Sequence, residues 1–304
     1  MIPGQGLTFL AVSLQSAGKV LYGTWLAGVS TAAFLLVSFC VTAAIFVVVA
    51  RFRMPARGLG QIVLANLWSA VTFACFFFAL KYLAPASVGS IEIGAAVIVA
   101  VVLAGMRTKV WPGWRRGVAC AGIVGGCAVL ALTELNDAPA NGDAVLAGVA
   151  LAASALAGIA STLAAVTFKK LANVGWSASS ILAHRFYLTI VMAFVWLVAS
   201  GQDVVPATET LPAVLAVAAI GVLLPLLLLQ IALRRTDTLT VMICGASQPV
   251  ISFAFALLSP VYDWSGAALT GVLVVSGALV LDIYAQRSRD VSIRPHLTVA
   301  TPAA

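Results

Sequence analysis

Charge is what this sequence has least of. Asp, Glu, Lys and Arg together make up 9% of its 304 residues, against about 25% in an ordinary soluble domain. A soluble fold of this length must wet its surface, and the polar material for that is missing. Histidine is nearly absent: the two present are His184 and His296, too few to build a metal cluster. The five cysteines, Cys40, Cys75, Cys120, Cys127 and Cys244, form no CxxC pair and are odd in number. Neither a zinc site nor a closed disulfide framework is expected, and each cysteine reads as a small, buried packing residue. The chain has no nucleophile–base–acid constellation, no glycine-rich phosphate loop and no ATP-binding sequence. It is therefore not expected to be an enzyme or to need a cofactor or metal, and any transport it performs must draw on a gradient.

The net charge of +7 does not point to nucleic acid. Nearly all cations stand at the ends of apolar stretches, and no basic patch with interleaved polar sequence exists. What the chain does have is hydrophobic residues, 62% of the total, with a mean hydropathy of +1.10. They fall into ten stretches: 7–22, 29–50, 61–80, 85–106, 117–133, 144–168, 177–199, 211–233, 239–259 and 266–283. Each is near the ~20 residues that cross about 30 Å of hydrocarbon as a helix. The runs do not alternate and are twice too long for barrel strands. The predicted fold class is an all-α membrane protein of ten transmembrane helices. The N-terminal MIPGQG has no basic side chain ahead of the first stretch, which is read as a mature helix rather than a signal peptide.

The charges orient the spans. Arg51, Arg53 and Arg57 follow span two; Arg107, Lys109, Arg115 and Arg116 follow span four. Lys169 and Lys170 follow span six, Arg234 and Arg235 span eight, and Arg287, Arg289 and Arg294 span ten. The other side holds Glu134, Asp137, Asp143, Asp203, Glu209 and Asp263, with Lys19 and Lys81 as its cations. Basic loops stay in the cytoplasm, so both termini are expected there, with the protein in the cytoplasmic membrane. Trp25, Trp111, Trp114, Trp176 and Trp264 stand at span ends and read as interfacial anchors.

The chain also repeats itself. ALKYLAPASVGSIEIGAAV (79–97) aligns without gaps to ALRRTDTLTVMICGASQPV (232–250), GVSTAAFLLVSF (28–39) to GWSASSILAHRF (175–186), and RGVACAGIVGG (116–126) to SGAALTGVLVV (265–275). Residues 1–136 then form a first five-helix repeat, 137–285 a second, and 286–304 a disordered cytoplasmic tail. Five spans per repeat is an odd number, so the second enters the membrane from the opposite side. Inverted repeats serve alternating access, with the substrate near the midplane between halves.

Several polar residues interrupt the apolar spans. Glu92 lies about 10 Å into span four. There a carboxylate is costly unless it is protonated, paired or wetted by a cavity. It reads as a substrate-binding and proton-coupling group, or as half of an ion pair with Lys19. Gln15 and Lys19, four residues apart, share a face of span one; Lys19 would bind a substrate carboxylate, neutralise Glu92 or snorkel to the outer headgroups. His184 and Arg185 point about 100° apart in span seven, so one can face a cavity while the other meets backbone carbonyls or lipid phosphate. Gln230 and Gln248, the latter before Pro249, offer donors and acceptors to a zwitterion or to neighbouring helices. Trp68, Phe73, Phe76, Phe77 and Phe78 crowd span three as core, lipid-facing surface or cavity wall. Gly122 and Gly126 in span five, echoed by Ala267 and Gly271 in span ten, permit close helix contact within the bundle or in a dimer.

Over about residues 7–285 the chain resembles the drug/metabolite transporter superfamily, in its ten-helix (EamA-type) branch, and within it the threonine/homoserine exporters. The likeness is carried by SLQSAGKVLY in the first span, ALKYLAPASVGSIEIGAAV at the third-to-fourth junction and LPLLLLQIALRRTDTLTVMICGASQP at the eighth-to-ninth. The resemblance places the family's span-four glutamate on Glu92. The acid before the span-nine proline is here Gln248, the arginine of span two is replaced near Phe34, and LLSPVYDW stands where the family has Gly-Glu. It implies a secondary transporter exporting a small metabolite such as an amino acid, with exchange for protons. Its partners would be the small-molecule substrate and membrane lipid, and it would be a monomer or homodimer. Drug efflux is the alternative within transport. A channel or membrane enzyme fits less well, since Glu92 aligns with Gly245 and no polar lining repeats.

Overall fold

The computed structural model describes residues 4–51, 55, 57–109, 113–137, 143–233, 244–262 and 264–293. Every described element is helical. The order is α1 (Gly4–Trp25), α2 (Thr31–Val49), α3 (Leu59–Ala79), α4 (Pro85–Thr108), α5 (Trp114–Asp137), α6 (Asp143–Asn173), α7 (Ala178–His184), α8 (Tyr187–Ala199), α9 (Leu211–Ala218), a π turn (Ala219–Leu223), α10 (Leu224–Leu233), α11 (Gln248–Ala256) and α12 (Gly266–Ile293).

Among the described residues, eight segments are long and apolar enough to cross a membrane: α2 to α6, α7 with α8, α9 into α10, and α12. The faces they turn outward are apolar at mid-helix, as at Val124, Ile159, Val191 and Val274. In water such faces would aggregate; in hydrocarbon they are solvated, and each helix satisfies its own backbone. The chain is a multi-pass membrane protein. α1 and α11 are not among the eight: α1 is interrupted by Gln15, Ser16 and Lys19, and α11 is nine residues long.

Local sequence sets the helix ends. Pro85 and Pro212 occupy first-turn positions, where the missing N–H is no loss. Ser177 caps α7 by accepting from Ser180 N at 3.1 Å. Lys81 ends α1 from a distance, its Nζ donating to the carbonyls of Leu26 (2.8 Å), Ala27 (2.9 Å) and Val29. A lysine there meets the unsatisfied, negative end of the helix. The Glu134 carboxylate, from α5, accepts from Ala84 N at 3.2 Å and so caps α4.

Two spans that read as continuous are not regular. The segment expected at 177–199 breaks at Arg185–Phe186, between α7 and α8. Asn66 of α3 takes up the broken backbone: its Nδ2 donates to His184 O at 2.7 Å, and its Oδ1 accepts from Leu188 N at 3.1 Å. The segment expected at 211–233 carries the π turn, because Pro225 has no N–H and its ring crowds the carbonyl four residues back, at Gly221.

The helices pack in a definite pattern. α6 lies against both α3 and α4, and α1 against α10 and α11. α2 lies against α7 and α8, α4 against α11, and α5 against α12. The small residues expected to permit close contact do so inside the bundle: a Cβ at Gly126 would lie 3.0 Å from Gly271 O, and one at Gly122 would lie 3.0 Å from Ala278 Cβ. Two expectations fail. Trp176 is no exposed anchor; it is 3% exposed, and its Nε1 donates to Arg57 O at 2.7 Å. Trp25, Trp114 and Trp264 do face outward, and Trp111 lies outside the described residues. The cysteines are free but not buried: Cys40 is exposed and the other four are half-buried.

Candidate functional site

A cavity of about 110 Å³ lies between α1, α3 and α4 on one side and α9, the π turn and α10 on the other. Its walls include Gln15, Lys19, Phe73, Phe76, Phe77 and Glu92. Both charged residues thus face one small space.

The surrounding backbone is built to bring them there. A Cβ at Gly18 would lie 2.1 Å from Gly221 Cα, so α1 touches the π turn backbone to backbone beside Lys19. A Cβ at Gly158 would lie 2.1 Å from Glu92 O, and Thr162 Oγ1 donates to Ala96 O at 2.9 Å. α6 therefore clamps the back of α4 behind Glu92 and leaves its carboxyl side facing the cavity. Gly89, one turn from Glu92 on the same face, makes room for the lysine: a Cβ there would lie 2.9 Å from Lys19 Nζ.

Lys19 does not snorkel. It is 3% exposed, and its ammonium makes no hydrogen bond. It sits 4.9 Å from the Phe76 ring centroid and interacts electrostatically with Glu92. The pair is coupled across the cavity without direct hydrogen bonding. Such a gap suits a polar guest, because each charge lacks a partner the guest can supply. The aromatic wall is part of the core: Phe34 and Phe77 pack at 4.8 Å and Tyr22 and Phe77 at 5.0 Å between centroids. Phe34, standing where the resemblance led one to expect arginine, is fully buried there.

A second cavity of about 300 Å³ is lined by Thr8, Gln15, Gln248 and Asp282 among others. It shares Val12, Gln15 and Leu229 with the first. Gln15 is exposed at mid-helix because it faces both spaces. Glu92, Lys19, Gln15 and Gln248 therefore border two adjoining cavities. Asp282 escaped the sequence reading, since it sits at the end of an apolar run like any boundary charge. It is 2% exposed and bonds Arg116 Nε at 2.8 Å, joining α12 to α5.

Neither His184 nor Arg185 lines these two cavities. His184 Nδ1 bonds Tyr187 OH at 2.6 Å. The Arg185 guanidinium lies 4.6 Å from the Phe186 centroid, 4.9 Å from Phe168 and 5.8 Å from Phe73. Phe73 stands between it and the first cavity. Trp68 lines neither cavity, and Phe78 borders a separate groove on the membrane face. Gln230 lies on α10, with its side chain outside those described. Asn66, which serves the α7–α8 break, was not singled out from sequence; an asparagine in an apolar span was the available signal.

Neither a protein-family model nor a curated protein matches the chain. Fifteen chains of solved structures do match. One, a crystal structure of a protein, superposes with a TM-score of 0.64 at 16% identity, over 98% of this chain and 99% of the other. Similarity at that identity speaks to the fold alone: nearly the whole chain follows an architecture already seen in a crystal.

Proposed function

We propose that this chain is a secondary active transporter that exports a small metabolite, an amino acid or a close relative, across the cytoplasmic membrane. The observation that carries the reading is the small cavity between the two halves of the chain with Glu92 and Lys19 both facing it. A zwitterion brings a carboxylate to Lys19 and an ammonium to Glu92. In the empty cavity the two charges balance each other, and Glu92 can exchange a proton for the substrate's ammonium.

On this reading the chain has ten spans in two inverted five-span repeats, with α1 and the segment containing α11 as the two polar or broken spans. The packing supports it. Exchanging each span for its counterpart five spans on turns the α6–α3 contact into α1–α10, and α6–α4 into α1–α11. The same exchange maps α2 with α7–α8, α4 with α11, and α5 with α12 onto themselves. A two-fold relation between halves is what rocking-type alternating access requires. The α7–α8 break, held by Asn66, and the π turn at Pro225 give two spans that can bend. The basic ends of the helices then face the cytoplasm, with both termini.

The aromatic wall of Phe73, Phe76 and Phe77 favours a second reading, efflux of an apolar drug. The size weighs against it: about 110 Å³ lies below the roughly 300–1,000 Å³ of sites for drug-sized ligands. The test is flux in proteoliposomes. A pH gradient should drive accumulation of an amino acid such as L-threonine, and Glu92→Gln should abolish the gradient dependence in a folded protein. Gradient-driven flux surviving in that variant would remove Glu92 from the coupling, and transport of hydrophobic cations alone would favour drug efflux.

A further inference from the structure

We infer that Arg185 binds the substrate's carboxylate on the far side of the Phe73 ring from the Lys19–Glu92 cavity, as a station ahead of it. This rests on the transport reading above and adds to it a residue, a ligand group and a direction of approach.

The first observation is an arginine without an anion. Among the described residues Arg185 forms no ion pair. Its Nε is buried with no partner, while its two terminal nitrogens keep open surface and make no hydrogen bond. Its neighbours are rings: Phe186, Phe168 and Phe73 lie with their centroids 4.6, 4.9 and 5.8 Å from the guanidinium carbon. Ring faces attract a cation but give its N–H groups no acceptor in their own plane. A guanidinium presents five donors in a fixed fork that matches a carboxylate or a phosphate. The cage therefore holds the fork in place and leaves its terminal nitrogens for an oxyanion.

The second observation is placement. Lys19 and Arg185 stand over rings on successive turns of α3: Lys19 Nζ lies 4.9 Å from the Phe76 centroid, and Arg185 lies against Phe73. Phe73 and Phe76, three residues apart, share a face of the helix, and both line the central cavity. One half-buried ring thus separates Arg185 from that cavity. On its other side Arg185 is close to the basic end of the bundle. Phe168 directly precedes the exposed Lys169 and Lys170, and the carbonyl of the exposed Arg57 accepts from Trp176 Nε1 just ahead of α7. An anion drawn to Arg57, Lys169 and Lys170 reaches Arg185 before Lys19. Arg185 also ends α7 at the break held by Asn66, so bending of this span moves the cation with it. A lipid phosphate offers the same chemistry as the substrate's carboxylate, and the experiment separates the two.

The test is sided. L-Threonine flux is measured in right-side-out and inside-out membrane vesicles carrying the full-length protein, with L-threoninamide, which lacks the carboxylate, as competitor. Phospholipid bound to the purified protein is counted by native mass spectrometry. Arg185→Gln keeps a polar side chain without the charge. It should raise the KM for threonine at the face bearing Lys169 and Lys170 by at least about tenfold, the loss expected for a hydrogen bond to a charged group. The KM at the opposite face and the inhibition constant of threoninamide should change less than about twofold. Arg185→Lys, which keeps the charge without the fork, should fall between wild type and Arg185→Gln, and it carries the same comparison of faces if Arg185→Gln does not reach the membrane. An unchanged KM at the basic face, an equal rise at both faces, or an equal loss of threoninamide inhibition would overturn the assignment and leave the central cavity standing. Loss of one bound phospholipid with the KM unchanged would overturn it in favour of a lipid phosphate. Wild type that carries no threonine in either direction would overturn it together with the transport reading.

Discussion

Gly18 is the position at which a single methyl group should do most damage. A Cβ there would lie 2.1 Å from Gly221 Cα and 2.8 Å from Gly221 N. Carbon atoms in contact sit about 3.5–4.0 Å apart, so Gly18→Ala must push α1 from the π turn by roughly 1.5 Å. Both neighbours are backbone, with no flexible side-chain tip to swing aside. Overpacking of this kind costs about 1–3 kcal/mol. It acts on the wall of the central cavity, because Gly18, Gly221 and Val222 all line it. The control is Gly125→Ala in α5, where an added Cβ meets nothing within 4 Å. There the better helix former should stabilise by about 0.5–1 kcal/mol. The two glycine-to-alanine changes are chemically identical and should therefore differ in sign. Thermal unfolding of the purified variants in one detergent reads this directly, and threonine uptake reads the cavity. If Gly18→Ala melts at or above wild type, the close approach of α1 to the π turn is wrong, and the central cavity with it.

If Glu92 serves only as half of an ion pair with Lys19, Glu92→Gln should instead leave an uncompensated buried cation and cost about 3–5 kcal/mol, with Lys19→Met restoring part of the loss in the same melt; a Glu92→Gln protein that melts like wild type would refute the purely structural pair. Asn66→Leu should destabilise by at least about 2 kcal/mol, because His184 O and Leu188 N both lose their partner; a neutral outcome would mean the α7–α8 break needs no support. Burial and nearby Glu134 push the Tyr262 phenol, in the loop before α12, up to about 12 from 10.0. Its protonated form is favoured in the folded state, so stability should fall as pH rises from about 10 to about 12, and Tyr262→Phe should flatten that alkaline decline in a stability titration. Cysteines placed at Gln202 and Arg115 in a cysteine-free background should label from opposite sides of intact cells, Gln202 from outside; equal labelling would refute the orientation.

The class of this protein was legible without coordinates because the bilayer demands it. A helix that crosses hydrocarbon must be apolar over about 20 residues, so composition and run length alone identify α2 to α6 and α12. Spacing was equally informative where contact is local: Gly122 and Gly126 must lie on one face, and that face meets α12. Glu92 and Lys19 were singled out by the same logic, as ionisable groups where such groups are costly. Their pairing was one of the alternatives the sequence left open; that a cavity lies between them was beyond sequence. They are 73 residues apart, and nothing in either span says which helix face turns inward when almost every face is apolar. The same uniformity concealed Asp282, buried against Arg116 while resembling a boundary charge, and misplaced Trp176, which turns in to meet Arg57 O. Arg185 carried the strongest single signal in its span and was drawn into a cage of three phenylalanines instead of the cavity. Local chemistry determines that a segment is a membrane helix; only the packing of helix on helix, through glycines such as Gly18, Gly158 and Gly221, decides what its polar residues face.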